Sequence, residues 1–221
     1  HFIFSYSDGF YYLHAYLGEE DTVTLPKDYN GNSYMLKRFV GASHVIIPDG
    51  VTRIDGYAFE RNKELISITI PNSVTYIGEN AFSGCVNLKD ITLSDRLTEI
   101  SWYAFQNCDS LISIEIPESV TSIAGYAFGN CSALTSVVIP DSVTHIASEA
   151  FTGCTALQDI QLTGDPNFCY IDGVLYNNPI TQIVWVSYGC PNEVVIVDGV
   201  TAIGVEVFRG RKNVTSVKIP D

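Results

Sequence analysis

Six cysteines and a handful of histidines and carboxylates are the residues of this 221-residue chain whose types could carry chemistry. Cys85, Cys108, Cys131 and Cys154 follow one another at intervals of 23, and Cys169 and Cys190 stand apart from that series. Thiols at one fixed interval share a direction and lie about 4.8 Å apart on successive strands, without the facing Cβ vectors that a disulfide needs. The spacing therefore predicts a buried ladder of thiols, each giving a weak S–H bond to a turn carbonyl, in place of disulfides or a metal site. A disulfide between Cys169 and Cys190 stays open, because connectivity does not follow from sequence.

No C-x-x-C, H-E-x-x-H or D-x-D-x-D-G spacing occurs, which argues against zinc and EF-hand sites. The chain also lacks G-x-G-x-x-G, G-x-x-x-x-G-K and G-x-S-x-G, so neither a phosphate loop nor a nucleophile elbow is visible. His14, His44 and His145 fall in separate segments. His145 occupies a column with Arg53, Tyr76, Glu99 and Ser122, the composition of a solvated outer position and not of a general base. Asp49, Asn72, Asp95, Glu118, Asp141 and Asp198 recur after each strand end. Stacked carboxylates would suit a Ca²⁺ rail. Asp and Asn beside Pro, Ser and Gly are also the ordinary residues of a turn, where their side chains bond to nearby amides, and that reading is preferred. The expectation is no enzyme, no metal and no cofactor.

What must position these residues is a repeat. Phe59, Phe82, Phe105, Phe128 and Phe151 stand 23 apart, each preceded by Ala. Ile47-Pro48, Ile70-Pro71, Ile116-Pro117 and Ile139-Pro140 keep the same step, with Leu93-Ser94 on the rung that lacks Pro. The phase is lost after Leu162 and resumes from Ile196 to Ile219, with Phe208 in the Phe column. Each unit has an L-x-x-L-x-L strand, as in Leu134-Thr135-Ser136-Val137-Val138-Ile139. A unit this short cannot bury its own apolar face, so the units must stack into a solenoid of about eight rungs with parallel strands. Leu65/Leu88/Leu111/Leu134/Leu157 and Ile68/Ile91/Ile114/Val137/Ile160 then form one core.

Tyr6-Ser7-Asp8-Gly9-Phe10-Tyr11-Tyr12 and Tyr170-Ile171-Asp172-Gly173-Val174-Leu175-Tyr176 share Y-x-D-G-x-x-Y, and Asp-Gly between β-rich runs predicts a hairpin in each. The expected organisation is an N-terminal β-hairpin cap over 1–24, repeats over 25–163, a degenerate hairpin repeat over 164–195 and a resumed, truncated repeat over 196–221, all in one solenoid domain. A chain beginning at His1 and stopping at Asp221, where a further unit would start, reads as a piece of a longer array.

The pattern I-P-D-S-V-T-x-I-x-x-x-A-F-x-x-C-x-x-L-x-x-I, as in Ile116 to Ile139, resembles the BspA-like leucine-rich repeat. Asn167-Phe168, Ile171 to Tyr176 and Val197 to Thr201 resemble the degenerate unit interspersed in such proteins. The resemblance covers about residues 25 to 221. It implies a β-rich leucine-rich-repeat solenoid, with a parallel sheet on the concave face interrupted by one β-hairpin unit. It also implies a bacterial secreted or cell-surface protein, with signal sequence and anchor outside this segment, and relatives that act in adhesion to host matrix or other surface proteins. It implies no catalytic residues. Leu93-Ser94, Val207 before Phe208 and Arg211 in place of the repeat Cys depart from the pattern.

Between the inward residues of each strand lie two positions that face outward: Ser67/Thr69, Asp90/Thr92, Ser113/Glu115, Ser136/Val138 and Asp159/Gln161. They are the candidate partner-binding face, polar and acidic at Asp90, Glu115 and Asp159, and suited to a basic protein patch. An ordinary solvated sheet face would have the same composition. A structural spacer holding other domains is the alternative function. Carbohydrate binding through hairpin aromatics such as Trp185 and Tyr188 is another. Lys+Arg 12 against Asp+Glu 25 gives a net charge of -13, which repels nucleic acid and anionic lipid surfaces. No apolar run is long enough for membrane insertion by this segment.

Overall fold

The computed structural model describes residues 1–164 and 167–220. Asp165 and Pro166, which open the expected degenerate repeat, and Asp221, on which the expected open end rests, lie outside the described residues. Among the described residues the chain is a succession of short strands and turns without a helix. It winds about nine times.

The period of 23 becomes the register of the sheet. Ser67 pairs with Asp90 and Thr69 with Thr92, and Ser113, Ser136 and Asp159 stand side by side in parallel pairing. Among the described residues nine strands share this ladder position, from Thr22–Thr24 through Glu193–Val195 and Ser216–Lys218. The sequence predicts about eight rungs, and Thr22–Thr24, paired to His44–Ile46 and followed by Leu25-Pro26, escapes because it stands 22 residues before its partner and so falls out of the 23-residue step. A second ladder of two-residue strands runs beside the first: Arg53–Ile54, Tyr76–Ile77, Glu99–Ile100, Ser122–Ile123 and His145–Ile146. The column that holds His145 is thus the first residue of a strand as well as an outer position.

The third side of each turn is closed by the Phe column. Phe59, Phe82, Phe105, Phe128 and Phe151 are buried and stacked with centroids 5.1 to 5.5 Å apart and planes within 8°. Backbone bonds run along the same edge, from the Phe82 amide to Ala104 and from the Phe105 amide to Ala127, each 2.8 Å. Two edge-to-face contacts end the stack: Phe39 against Phe59 at 5.8 Å, and Trp185 against Phe151 at 6.5 Å. To make so tight a corner the backbone turns left-handed on either side of the ring. Tyr57, Asn80, Tyr103 and Tyr126 have φ between 54° and 64°, and Arg61, Gly84, Asn107, Asn130 and Gly153 between 57° and 82°. Gly and Asn dominate the second set because they tolerate this region with least strain.

Both predicted hairpins form. Asp8-Gly9 joins Phe2–Ser7 to Phe10–Tyr16, and Asp172-Gly173 joins Phe168–Ile171 to Val174–Asn177, with positive φ at both turn residues in each case. The two then diverge. Phe10–Tyr16 pairs in parallel with Tyr34–Val40, whereas Val174–Asn177 pairs antiparallel with Gln182–Val186. Gln182 and Ile183 in turn pair in parallel with Ala202 and Ile203, which returns the hairpin unit to the solenoid.

The thiol ladder is present as expected. Cys85, Cys108, Cys131 and Cys154 are fully buried and donate to the carbonyls of Phe59, Phe82, Phe105 and Phe128 at 2.9 to 3.3 Å. No disulfide joins any of the six cysteines. The same corner position is filled by Asn62 at one end and Arg211 at the other, and each continues the pattern with stronger donors. The Asn62 amide donates to Phe39 O at 2.8 Å while its oxygen accepts the amides of Glu64 and Leu65. Burial pushes the Cys85 thiol from 9.0 up to about 12, so the folded chain holds it neutral. Stability drawn from that thiol is complete below 9.0 and is lost as pH rises toward about 12. Urea midpoints measured across that window should fall for the native chain and fall less for Cys85→Ala. At neutral pH a thiol reagent should label Cys169, which is half-buried, and leave the four ladder thiols untouched until the chain unfolds.

Candidate interaction face

In-register pairing sets Ser67, Thr69, Asp90 and Thr92 side by side in one sheet and Ser113, Glu115, Ser136, Val138, Asp159 and Gln161 in the next. Thr69, Asp90, Thr92, Ser113, Glu115, Val138, Asp159 and Gln161 are exposed, while Ser67 and Ser136 are half-buried. Ser67 is held by a hydrogen bond to His44 Nδ1 at 2.6 Å. Strand alternation explains the arrangement, since Ile68, Ile114, Val137 and Ile160 between them are all buried. Asp90, Glu115 and Asp159 form no ion pair among the described residues, so the face keeps its negative field.

The face is not uniform. One sheet runs from Thr22–Thr24 to Asp90–Thr92 and another from Ser113–Glu115 to Asp159–Leu162, with no ladder between Asp90–Thr92 and Ser113–Glu115. The second ladder is broken one step earlier, between Tyr76–Ile77 and Glu99–Ile100. The rung around Leu93-Ser94 is therefore tied to its predecessor by one strand and to its successor by the other. Serines fill the gaps. Ser101 Oγ donates to Ile77 O at 2.6 Å, where regular rungs use a backbone amide, as Gly78 N does to Ile54 O. Ser94 Oγ donates to Val74 O and Ser119 Oγ to Leu97 O, both at 2.5 Å.

Where the first ladder opens there is a cavity of about 380 Å³. Its floor is Ile91, Leu93, Ile116 and Pro117, and its rim carries Thr92, Asp95, Glu115, Glu118 and Ser119. Ile91 is half-exposed there, unlike the other members of its column. The alternation of the strand sequence identifies the face, but the cavity depends on lateral pairing that no single unit encodes. The missing Pro at Ser94 is the only mark it leaves.

Members of the acidic column after the strands bond from one rung to the next and not within their own turn. Asn72 Nδ2 donates to Asp95 Oδ2 at 3.0 Å and Asn72 Oδ1 accepts the Asp95 amide at 2.9 Å, while Asp141 Oδ1 accepts Thr163 Oγ1. Among the described residues no three or more His, Cys, Asp or Glu side chains are grouped to hold a metal ion, and no helix is long and apolar enough to cross a membrane.

The insert aromatics have a different role from the one the sequence allows for. Trp185 is 1% exposed and seals the Phe stack. The Tyr188 hydroxyl accepts the Gly153 amide at 2.9 Å and its ring lies 3.9 Å from the buried Arg211 guanidinium. Trp185 is thus closed to a sugar, and Tyr188 is half-buried with one ring face against Arg211. Exposed aromatics that the sequence reading passes over lie instead on the rungs: Tyr57 at 47%, Tyr76 at 42% and Trp102 at 48%. Tyr76 could have been found as the aromatic member of a column otherwise filled by Arg53, Glu99, Ser122 and His145.

Comparison with known proteins agrees with this architecture. The family described as BspA type Leucine rich repeat region matches residues 32–158 in six copies. A leucine rich cell surface protein of Faecalibacterium prausnitzii A2-165 is 35% identical over 75% of this chain and 38% of its own, with a TM-score of 0.57. A leucine-rich repeat protein of Eubacterium ventriosum is 25% identical over 80% of this chain and 48% of its own, with a TM-score of 0.71. One from Bacteroides ovatus shares the fold at 24% identity over 100% of this chain and 64% of its own, with a TM-score of 0.67. The chain thus spans less than two thirds of the length of each of these structures. No curated protein matches it.

Proposed function

This chain belongs to the BspA-type leucine-rich-repeat family, and from that membership we propose that it is a non-catalytic protein-binding module of a bacterial cell-surface or secreted protein. The observation that carries the reading is the set of carboxylates without an ion-pair partner at Asp90, Glu115 and Asp159, spread over the outward positions of successive strands and interrupted between Asp90 and Glu115 by an apolar-floored cavity. Repeat arrays offer such faces to extended partners. An acidic face with an apolar recess suits a basic, extended protein segment whose Lys or Arg stems lie on Ile91 and Ile116 while their charged ends reach the rim carboxylates. Host matrix proteins and other surface proteins are the partner class. Surface location is supported by the description of the Faecalibacterium prausnitzii relative as a cell surface protein.

The test is saturation binding of the native chain and an Asp90→Lys/Glu115→Lys/Asp159→Lys variant to a panel of matrix proteins. Expected is saturable binding that weakens with added salt and falls at least about tenfold on reversal, with an unchanged melting temperature, since all three side chains are solvent-facing. Binding that survives the reversal, or a panel on which nothing binds, overturns the reading.

A further inference from the structure

A second cavity, of about 340 Å³, lies between the N-terminal sheet and the first turns of the solenoid. Its walls include Tyr11, Tyr34, Met35 and Leu36. Neighbouring rings fix the tyrosines in place: Phe4 meets Tyr34 edge-on at 5.4 Å, and Tyr29 packs on Tyr11 at 5.2 Å. The Tyr34 hydroxyl is occupied in donating to Pro26 O. Phe10, 55% exposed, also lines the cavity.

The polar lining is unusual for a chain of net charge -13, because two of its few cations, Lys27 and Arg53, meet at this one cavity. Lys27 is exposed, its stem passes over Gly50, and among the described residues it pairs with no carboxylate. Arg53 is oriented by its Nε, which donates to Asp55 at 2.8 Å, and by the Tyr76 ring 4.7 Å away. Only that Nε is engaged among the described residues, leaving the terminal nitrogens of the guanidinium for an anion. Ser33 and Thr52 add hydroxyls.

We propose that this cavity binds an acidic sugar, a single pyranose ring carrying a carboxylate. The volume is at the small end of the range for ligand pockets and suits one ring better than a chain. Aromatic walls accept the apolar face of a pyranose. Ser33, Thr52 and Asp55 meet its hydroxyls, and Lys27 with the free edge of Arg53 meets the carboxylate, as charge-assisted bonds require. Anions are repelled from the surrounding surface, so the two cations also make this the place where an acidic ring settles. The site is separate from the carboxylate face and stands or falls independently of it.

The experiment is ligand-observed and protein-observed NMR on the full chain with glucuronate and N-acetylneuraminate, with glucose, acetate and inorganic phosphate as comparison probes. Expected is saturable binding of one or both acidic sugars, with glucose at least about tenfold weaker, the worth of a charged hydrogen bond. Lys27→Glu and Phe10→Ala should each weaken the acidic sugar about tenfold while the melting temperature holds, since both residues are exposed. Four outcomes overturn the proposal: no binding of acidic sugars at millimolar concentration, equal binding of glucose, displacement by acetate or phosphate as efficient as by the sugars themselves, or full binding by Lys27→Glu.

Discussion

Phe105→Ala is expected to destabilise the chain by about 3–5 kcal/mol, more than the same change at Phe128. The ring is fully buried and stacked on Phe82 at 5.3 Å and Phe128 at 5.5 Å, so truncation removes two stacked contacts and leaves a void that flat neighbours cannot close. Its position raises the cost. Phe105 belongs to the rung at which both strand ladders are interrupted, so the Phe column, its backbone bonds and the thiol bonds beside it run through there where the strands do not. Losing the ring should therefore lower cooperativity as well as stability, because coupling in a repeat array passes only between neighbouring units. Urea unfolding followed by far-UV circular dichroism should show a reduced slope for Phe105→Ala and a native-like slope for Phe128→Ala. Equal slopes and equal midpoints for the two variants would refute the weak-rung argument.

Arg211→Ala should cost about 2–4 kcal/mol, concentrated in the last turns. Arg211 is 5% exposed, and no carboxylate pairs with it among the described residues. Its charge is held by carbonyls and rings. Nε donates to Val186 O at 2.8 Å, Nη2 donates to the same oxygen, Nη1 donates to Arg209 O at 2.6 Å, and Tyr188 covers the guanidinium face. Burial pulls its pKa down, the opposite of what a salt bridge would do. Removing it leaves the buried Val186 carbonyl without those donors and uncovers Trp185, the seal of the Phe stack. Arg211→Lys should restore little of the loss, since a point cation cannot place a fork on one carbonyl and lie flat on a ring. Hydrogen exchange should show faster opening of residues 202–218 with residues 65–139 unchanged. Uniform acceleration along the whole chain would contradict a local role.

How far the sequence leads depends on how many residues share a signal. The Phe, Leu and Ile columns repeat at 23 over five units, and that period with an L-x-x-L-x-L strand in each unit points to a stacked solenoid, so the architecture and the outward face follow directly. The Asp-Gly hairpins are equally legible, because two residues at positive φ leave few alternatives. The second ladder is not, since Tyr76–Ile77 and its counterparts are two residues long and too short to show alternation. Arg211 is visible as a departure from the Cys column, yet its role depends on Tyr188 and Val186, which arrive from the insert. Both cavities fall outside the pattern for the same reason: each forms where regular stacking fails, between strands at one and between the N-terminal sheet and the solenoid at the other.

In-register pairing at a fixed 23-residue step has a consequence for how such a gene can change. A cut at any point in one unit and a join at the matching point of another returns every Phe, Leu and Cys to its own column, so the array can lengthen or shorten by recombination in whole units without passing through an unfolded product. A single-codon insertion inside a strand has no such escape, because it turns each inward side chain outward from there to the next corner. The length of the array is therefore a quantised trait, inherited in steps of about 4.8 Å.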